Sequence, residues 1–189
     1  MGRWEPDSRG RLQEAALALF AERGFDQVTA AEIAARAGLT ERTFFRHFAD
    51  KREVLFGGSE LLRERILTGV TGAPATDGPL EVVAAGLAAA ASMLGEFRRD
   101  LSLQRQAVID ANPELREREL AKLADYASEV AAALRRRGVG EPRATLAAEA
   151  GMAVLRTSLQ RWASSPVERS LSAMVQESLG ELRAVALGS

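Results

Sequence analysis

Hydrophobic positions recur at helical spacing from Arg11 onward. Leu12, Ala15, Ala16, Leu19 and Phe20 fall at i, i+3, i+4, i+7 and i+8, the pattern of one buried helix face. Gly24 suits the left-handed position that ends such a helix, with Phe25 placed to contact its last turn. Thr29-Ala30-Ala31-Glu32 has the spacing of a capping box and opens a second helix, with Ile33, Ala34 and Ala37 inward and a break at Gly38. Thr40 caps a third short helix whose apolar positions are Phe44 and Phe48. Asp50-Lys51-Arg52-Glu53 repeats the capping spacing and predicts a fourth helix with Val54, Leu55, Leu61, Leu62 and Ile66 inward.

Beyond Ile66 the stretch TGVTGAPATDGP reads as a loop. Pro79 restarts a helix that runs through the uncharged segment Val82–Gly95 to about Phe97, too short for the ~18 residues of a membrane span. Further helices are predicted from about Arg98 to Asp110, from Pro113 after a capping Asn112 to Arg137, from near Pro142 through Trp162, and after Pro166 through Leu182. The Arg135-Arg136-Arg137 run ends a helix before Gly138, where the helix dipole favours cations. Sustained Val/Ile/Thr alternation is missing, so the expected fold class is all-α.

Two short helices joined by a Gly-containing turn and braced by a first helix make a three-helix helix-turn-helix. Ala34, Ala37 and Gly38 let the paired helices approach closely. With Phe44 and Phe48 inward, Arg42, Thr43, Phe45, Arg46 and His47 fill the outer faces of the third helix. Most aromatic residues (Trp4, Phe20, Phe25, Phe44, Phe45, Phe48 and Phe56) sit in this part of the chain. A compact unit at residues 1–56 is therefore expected, followed by a larger Ala/Leu helical body at 57–189.

Composition narrows the chemistry. The 189 residues hold 25 Lys plus Arg against 26 Asp plus Glu, one His and no Cys. Disulfides, thiolate nucleophiles and Cys-ligated metals are excluded, and His47 alone cannot make a multi-His metal site, so neither metal nor cofactor is expected. GxSxG, HExxH, GxxxxGK and GxGxxG motifs do not occur, which argues against an enzyme. The first ten residues hold no apolar run like a secretory signal, so a cytoplasmic protein is expected. A net charge of −1 argues against coating nucleic acid by bulk charge. The cations Arg42, Arg46, His47, Lys51 and Arg52 nevertheless gather around the third helix, where Arg can grip guanine O6 and N7 while Thr, His and Lys hold phosphates.

The stretch TAAEIAARAGLTERTFFRHFADKREVL, with RGRLQEAALALFAERGFDQVT before it, resembles the DNA-binding signature of the tetracycline-repressor (TetR) family over roughly residues 9 to 56. The resemblance implies an all-α protein in which helices one to three bind operator DNA and the rest form a ligand pocket and dimer interface. Carried over by position, Thr29 would cap helix two and contact phosphate, Thr40 and Arg42 would begin the recognition helix, and Thr43 would approach backbone or bases. Family members usually have Tyr where Phe45 stands; Phe keeps a ring for thymine-methyl contact and loses the hydroxyl. Arg46 falls at a variable position and could replace that anchor, while His47 and Lys51 fall on phosphate-contacting positions. Arg3, Arg9 and Arg11 could form an arm along the DNA backbone or minor groove.

The expected function is a ligand-responsive repressor that binds a palindromic operator as a homodimer and is released by a small, mostly apolar effector. Pocket candidates are Leu87, Met93, Leu94, Phe97, Gln104, Val108, Tyr126 and Trp162. Dimer-interface candidates on the last two helices are Leu155, Leu159, Leu171, Met174, Val175, Leu179 and Leu182. The competing readings are a helical protein–protein adaptor that does not touch DNA, and a transcriptional activator.

Overall fold

The computed structural model describes residues 7–94, 99–165 and 169–188. Among these residues lie nine α-helices, one short 3-10 turn and no strand. The helices are α1 (Ser8–Arg23), α2 (Ala30–Arg36), α3 (Glu41–His47), α4 (Ser59–Gly72), α5 (Pro79–Leu94), α6 (Arg99–Ala111), α7 (Pro113–Arg136), α8 (Arg143–Ser164) and α9 (Leu171–Leu187). The all-α expectation is met. No single described helix is long and apolar enough to cross a membrane.

The chain divides into two compact units. One runs through Gly58 and takes in Asp100–Arg116; the other comprises Ser59–Arg99 and the chain from Glu117 onward. The segment 100–116, which the sequence pattern assigned to the larger body, joins the first core because Val108, Ile109 and Leu115 are buried with Phe44, Phe48 and Phe56. Arg105 adds a polar tie, donating to the Leu55 carbonyl at 2.7 Å with its guanidinium over the Phe56 ring.

Local capping chemistry explains the first unit. Gly24, at φ 80°, stops α1 and donates its N–H to the Phe20 carbonyl at 2.9 Å, and the Phe20 and Phe25 rings meet at 5.1 Å. Thr29 and Glu32 form the full capping box of α2. Gly38, at φ 68°, ends α2 with two backbone bonds, Gly38 N–H to Ala35 and Leu39 N–H to Ala34. Thr40 caps α3 by accepting from Thr43 N–H at 3.2 Å.

The expected fourth helix is two elements. Asp50 Oδ1 accepts from the N–H groups of Arg52 and Glu53, but the turn it starts, Glu53–Phe56, is 3-10 and stops at Gly57-Gly58. A side chain at Gly57 would strike the Gln13 amide at 2.7 Å and the Phe48 ring at 3.0 Å, so the chain passes too close to α1 for a bulky residue. A new helix, α4, then begins at Ser59.

In the second unit α4 also runs five residues into the stretch expected to be loop, ending only at Gly72. Two tertiary contacts account for this. Arg137 donates to the carbonyls of Val70, Thr71, Ala73 and Pro74, satisfying acceptors that the end of a helix leaves open. Gly69 meanwhile lies at a helix crossing: a Cβ there would sit 2.6 Å from the Ala85 carbonyl oxygen, and one on Gly86 would sit 2.8 Å from that of Ile66. Helices α4 and α5 thus touch backbone to backbone. Gly151 of α8 makes room for the Val83 side chain, whose Cγ1 would lie 2.3 Å from an added Cβ. The uncharged α5 buries Val82, Val83, Leu87, Ala90 and Ala91 against this packing, as its composition implied. At the start of α7, Asn112 does not cap with its side chain, whose amide donates back to the Val108 carbonyl at 2.6 Å.

The crossing predicts opposite outcomes for one type of substitution. Gly86→Ala meets backbone and should lower unfolding stability by about 1–3 kcal/mol, whereas Gly72→Ala, in the last turn of α4 with open space around it, should raise it by about 0.4–1 kcal/mol. Urea midpoints of the two variants check both signs. A second prediction concerns acid. The Thr29 N–H, the Arg23 guanidinium and the Thr29 hydroxyl hold the Glu32 carboxyl at about 2, below its ordinary 4.5. A folded value below the unfolded one stabilises at neutral pH and ceases to as pH falls from 4.5 towards 2. The stability gap between wild type and Glu32→Gln should therefore close over that window in urea unfolding at stepped pH.

Candidate nucleic-acid interface

Helices α2 and α3, with the turn at Gly38-Leu39 between them, form the expected helix-turn-helix. Phe44 and Phe48 face the core, their rings 5.5 Å apart, which fixes the opposite side of α3 as the outer face. Arg42, Phe45 and Arg46 are exposed there, and Thr43 is half-buried. Phe45, 52% exposed, stands edge-on to Phe44 with centroids 5.4 Å apart, so the core ring braces the outer one. Thr29 and Thr40 are exposed at the starts of α2 and α3, each with its hydroxyl oxygen accepting from its own helix. The Thr40 and Thr43 hydroxyls also share a 3.0 Å hydrogen bond.

What separates the cations of this unit is whether they are already engaged. Arg9 donates to the Gly57 carbonyl and lies 5.3 Å from the Phe48 ring centroid, and Arg11 donates to the Ala37 carbonyl at the end of α2. The sequence allowed both a place in an arm along the DNA; in the fold Arg9, exposed, and Arg11, half-buried, are engaged with the carbonyls of Gly57 and Ala37. Arg3 lies outside the described residues. Arg23 pairs with Glu32 at 2.8 Å, Arg36 with Glu22 at 2.6 Å and Arg52 with Glu114 at 3.4 Å. Among the described Lys and Arg side chains up to Gly58, Arg42 and Arg46 alone have no acceptor within the protein. They stand four apart, on one face of α3.

Two expected phosphate ligands behave differently. Lys51 donates to the carbonyls of Phe25, Asp26 and Val28 at 2.8, 3.2 and 3.1 Å, with its ammonium 4.4 Å from the Phe25 ring centroid. An ammonium has three protons, so this side chain is committed inside the fold. His47 is half-buried and its Nε2 is enclosed without a hydrogen-bond partner. Burial, then the charges of Arg46 and Arg9, push its pKa below 6.5, so the ring is neutral at pH 7.

The effector candidates are spread over both units. Leu87 is fully buried, Met93 and Leu94 are half-buried at the end of α5, and Trp162 is buried with its indole N–H donating to the Arg169 carbonyl. Gln104, exposed, and Val108, buried, belong to the first unit. Phe97 lies outside the described residues. Tyr126 lines a polar cavity of about 350 Å³ formed by Ser59, Glu60 and Arg63 of α4 with Lys122, Asp125, Ser128 and Glu129 of α7. There Arg63 bridges Glu60 and Glu129, and the Tyr126 hydroxyl donates to the Ser59 carbonyl at 2.9 Å. The dimer candidates are also packed within one chain: Leu155, Leu171, Met174, Val175 and Leu179 are buried, and Leu159 and Leu182 lie against the same core. An apolar helical stripe has the same period whether a chain covers it itself or leaves it to a second copy.

Sequence reasoning did not find Arg137, Arg11 and Arg105 as carbonyl ties, because their acceptors lie 26 to 67 residues away and have no spacing signature.

Residues 12–56 match the family model of bacterial regulatory proteins, tetR family. The chain is 34% identical over 91 residues to the HTH-type transcriptional regulator TcmR of Streptomyces glaucescens, covering 48% of this chain and 39% of that protein. It is 46% identical over 55 residues to the HTH-type transcriptional repressor KstR2 of Mycobacterium tuberculosis, covering 29% and 26%. The matched stretches thus span well under half of these relatives. The fold is similar over 94% of this chain and 90% of the other to SmeT, from Stenotrophomonas maltophilia, in its triclosan complex, with a TM-score of 0.62 and 23% identity. The helix-turn-helix unit, residues 12–56, thus matches the tetR family of bacterial regulatory proteins in sequence, and the chain as a whole shares its all-α fold with SmeT.

Proposed function

We propose that this chain is a sequence-specific DNA-binding transcriptional regulator that works as a dimer on a palindromic operator, with α3 in the major groove. The observation that carries this reading is the pair Arg42 and Arg46, which stand unengaged on the outer face of a helix whose neighbouring cations are all occupied internally. Guanidinium groups in that position can make bidentate bonds to guanine O6 and N7. Phe45 between them offers an apolar surface to a thymine methyl, and the amino-terminal turns of α2 and α3 bring Thr29, Thr40 and Thr43 to the DNA backbone. Repression released by a small, mostly apolar effector is the mode we infer for the second unit; the triclosan complex of SmeT supports it.

Pairing with a second copy follows from the reach of one α3, which reads few base pairs, whereas two recognition helices ~34 Å apart read successive turns. Since the inner faces of α8 and α9 are used within the chain, the surface we assign to the partner is the outer one, where Ala153, Thr157, Gln160 and Gly180 are exposed. Its small side chains allow close helix approach. Sedimentation at micromolar concentration should give a dimer, and substituting Ala153→Glu with Gly180→Glu should yield monomers that retain helical circular dichroism; a wild-type monomer overturns the pairing.

The DNA reading is checked with a duplex selected from random sequence. Arg42→Ala and Arg46→Ala should each weaken binding by about 1–3 kcal/mol at fixed salt and relax base preference at separate positions of the site. Unchanged affinity in the double variant would favour an adaptor that never touches DNA.

A further inference from the structure

The geometry points to Lys51 as a positioning residue of the helix-turn-helix, an internal clamp between the exit of α3 and the entrance of α2 that makes no phosphate contact. The inference rests on the DNA-binding reading above for its functional consequence, though not for the clamp itself. Residues 25–28 form an irregular connection between α1 and α2: the Phe25 carbonyl accepts a long 3.5 Å bond from the Val28 N–H, and the carbonyls of Asp26 and Val28 lie outside any helix. A buried or half-buried carbonyl without a donor is costly. Lys51 supplies all three with one ammonium, at 2.8 to 3.2 Å, while its charge rests on the face of Phe25.

The consequence for DNA lies in what those carbonyls hold. Val28 directly precedes Thr29, the N-cap of α2, and Lys51 comes three residues after Phe48, where α3 has ended. One side chain therefore ties the first residue of the motif to its last. The α2–α3 turn is held at the other end by Arg11 on the Ala37 carbonyl. With both ends tied, the direction of α3 relative to α2 is set, and with it where Arg42 and Arg46 point. A lysine with all three protons bound inside has none for a phosphate oxygen, whereas an arginine, a planar fork, cannot fill a cup built for a compact ammonium.

The chain has only two lysines, Lys51 and Lys122, so reductive methylation of the wild-type protein, followed by mass spectrometry, reads the clamp against an internal reference. Lys51 should react about tenfold or more slowly than Lys122 in the free protein, since its amine is released only by local opening, and adding the selected duplex should not alter Lys51 further. A Lys51 that reacts as fast as Lys122 in the free protein, and is shielded only by DNA, overturns the clamp. Binding then tests its effect: Lys51→Met and Lys51→Arg should both weaken binding at fixed salt while leaving the dependence of log K on log salt unchanged. A phosphate contact would instead lose about 0.9 from that slope in Lys51→Met and keep affinity in Lys51→Arg, which would overturn the positioning role. If no duplex is selected at all, the DNA reading fails, and the methylation ratio in the free protein still decides the clamp.

Discussion

The carbonyl groups that short helices and irregular turns leave without donors are the constraint on which the structure rests. Each helix end exposes such acceptors, and where the end is covered by other parts of the chain, water cannot fill them. This chain answers with long cationic side chains brought from elsewhere in sequence. Arg11 closes the end of α2, Lys51 the α1–α2 connection, Arg105 the 3-10 turn, Arg137 the end of α4, and Arg99 the end of α8 through the carbonyls of Trp162 and Ser165. The guanidinium, with five donors on a stem that packs against apolar neighbours, suits the task, and only two of the chain's 25 Lys plus Arg are Lys. Helices of seven residues such as α2 and α3 have little stability alone, so tertiary ties of this kind hold them in register.

That same constraint marks the boundary of what the sequence discloses. Gly24 with Phe25, the Thr29–Glu32 box, Gly38 and Thr40 were legible because capping chemistry acts over three or four residues, a distance at which spacing is a signature. The break at Gly57-Gly58 and the persistence of α4 to Gly72 were not, because each depends on what approaches from outside: Gln13 and Phe48 at the first, Gly86 and Arg137 at the second. A glycine at a crossing of helices and a glycine in a loop are the same letter. The candidate site divides along the same line. Exposure of Arg42, Phe45 and Arg46 followed from the inward pair Phe44 and Phe48, whereas the engagement of Lys51, Arg9 and Arg11 depended on carbonyls far along the chain.

Engagement also changes how charge is to be counted. Formal balance in the first 52 residues is nine Lys plus Arg against eight Asp plus Glu, which suggests neither attraction to DNA nor avoidance of it. Pairing divides these charges into two populations. Arg23, Arg36 and Arg52 are neutralised by Glu32, Glu22 and Glu114, and the Glu22 and Glu32 carboxyls are held below their ordinary range by those arginines and, for Glu32, by Thr29. Arg9, Arg11 and Lys51 carry charge but have spent their donors on carbonyls. What an external anion meets at α3 is therefore Arg42 and Arg46, with His47 neutral beside them.

On the DNA-binding reading proposed above, a protein presenting two free cations at α3 gains little from the counterion release that dominates non-specific binding, because that term grows with the number of phosphates neutralised. Few free cations among the described residues of the first unit would then mean a shallow salt dependence and weak attachment to arbitrary sequence. Discrimination then falls to shape and hydrogen-bond geometry at base edges, where a misplaced guanidinium gains nothing. Rigid placement of α3 matters more under that regime than under one in which abundant charge tolerates misalignment. The phenylalanine at position 45 fits the same logic: braced edge-on by Phe44 and lacking a hydroxyl, it can distinguish an apolar methyl from a polar edge without adding affinity for the backbone. The internal cations, by giving up contact with the ligand, supply the stiffness on which the two free ones depend.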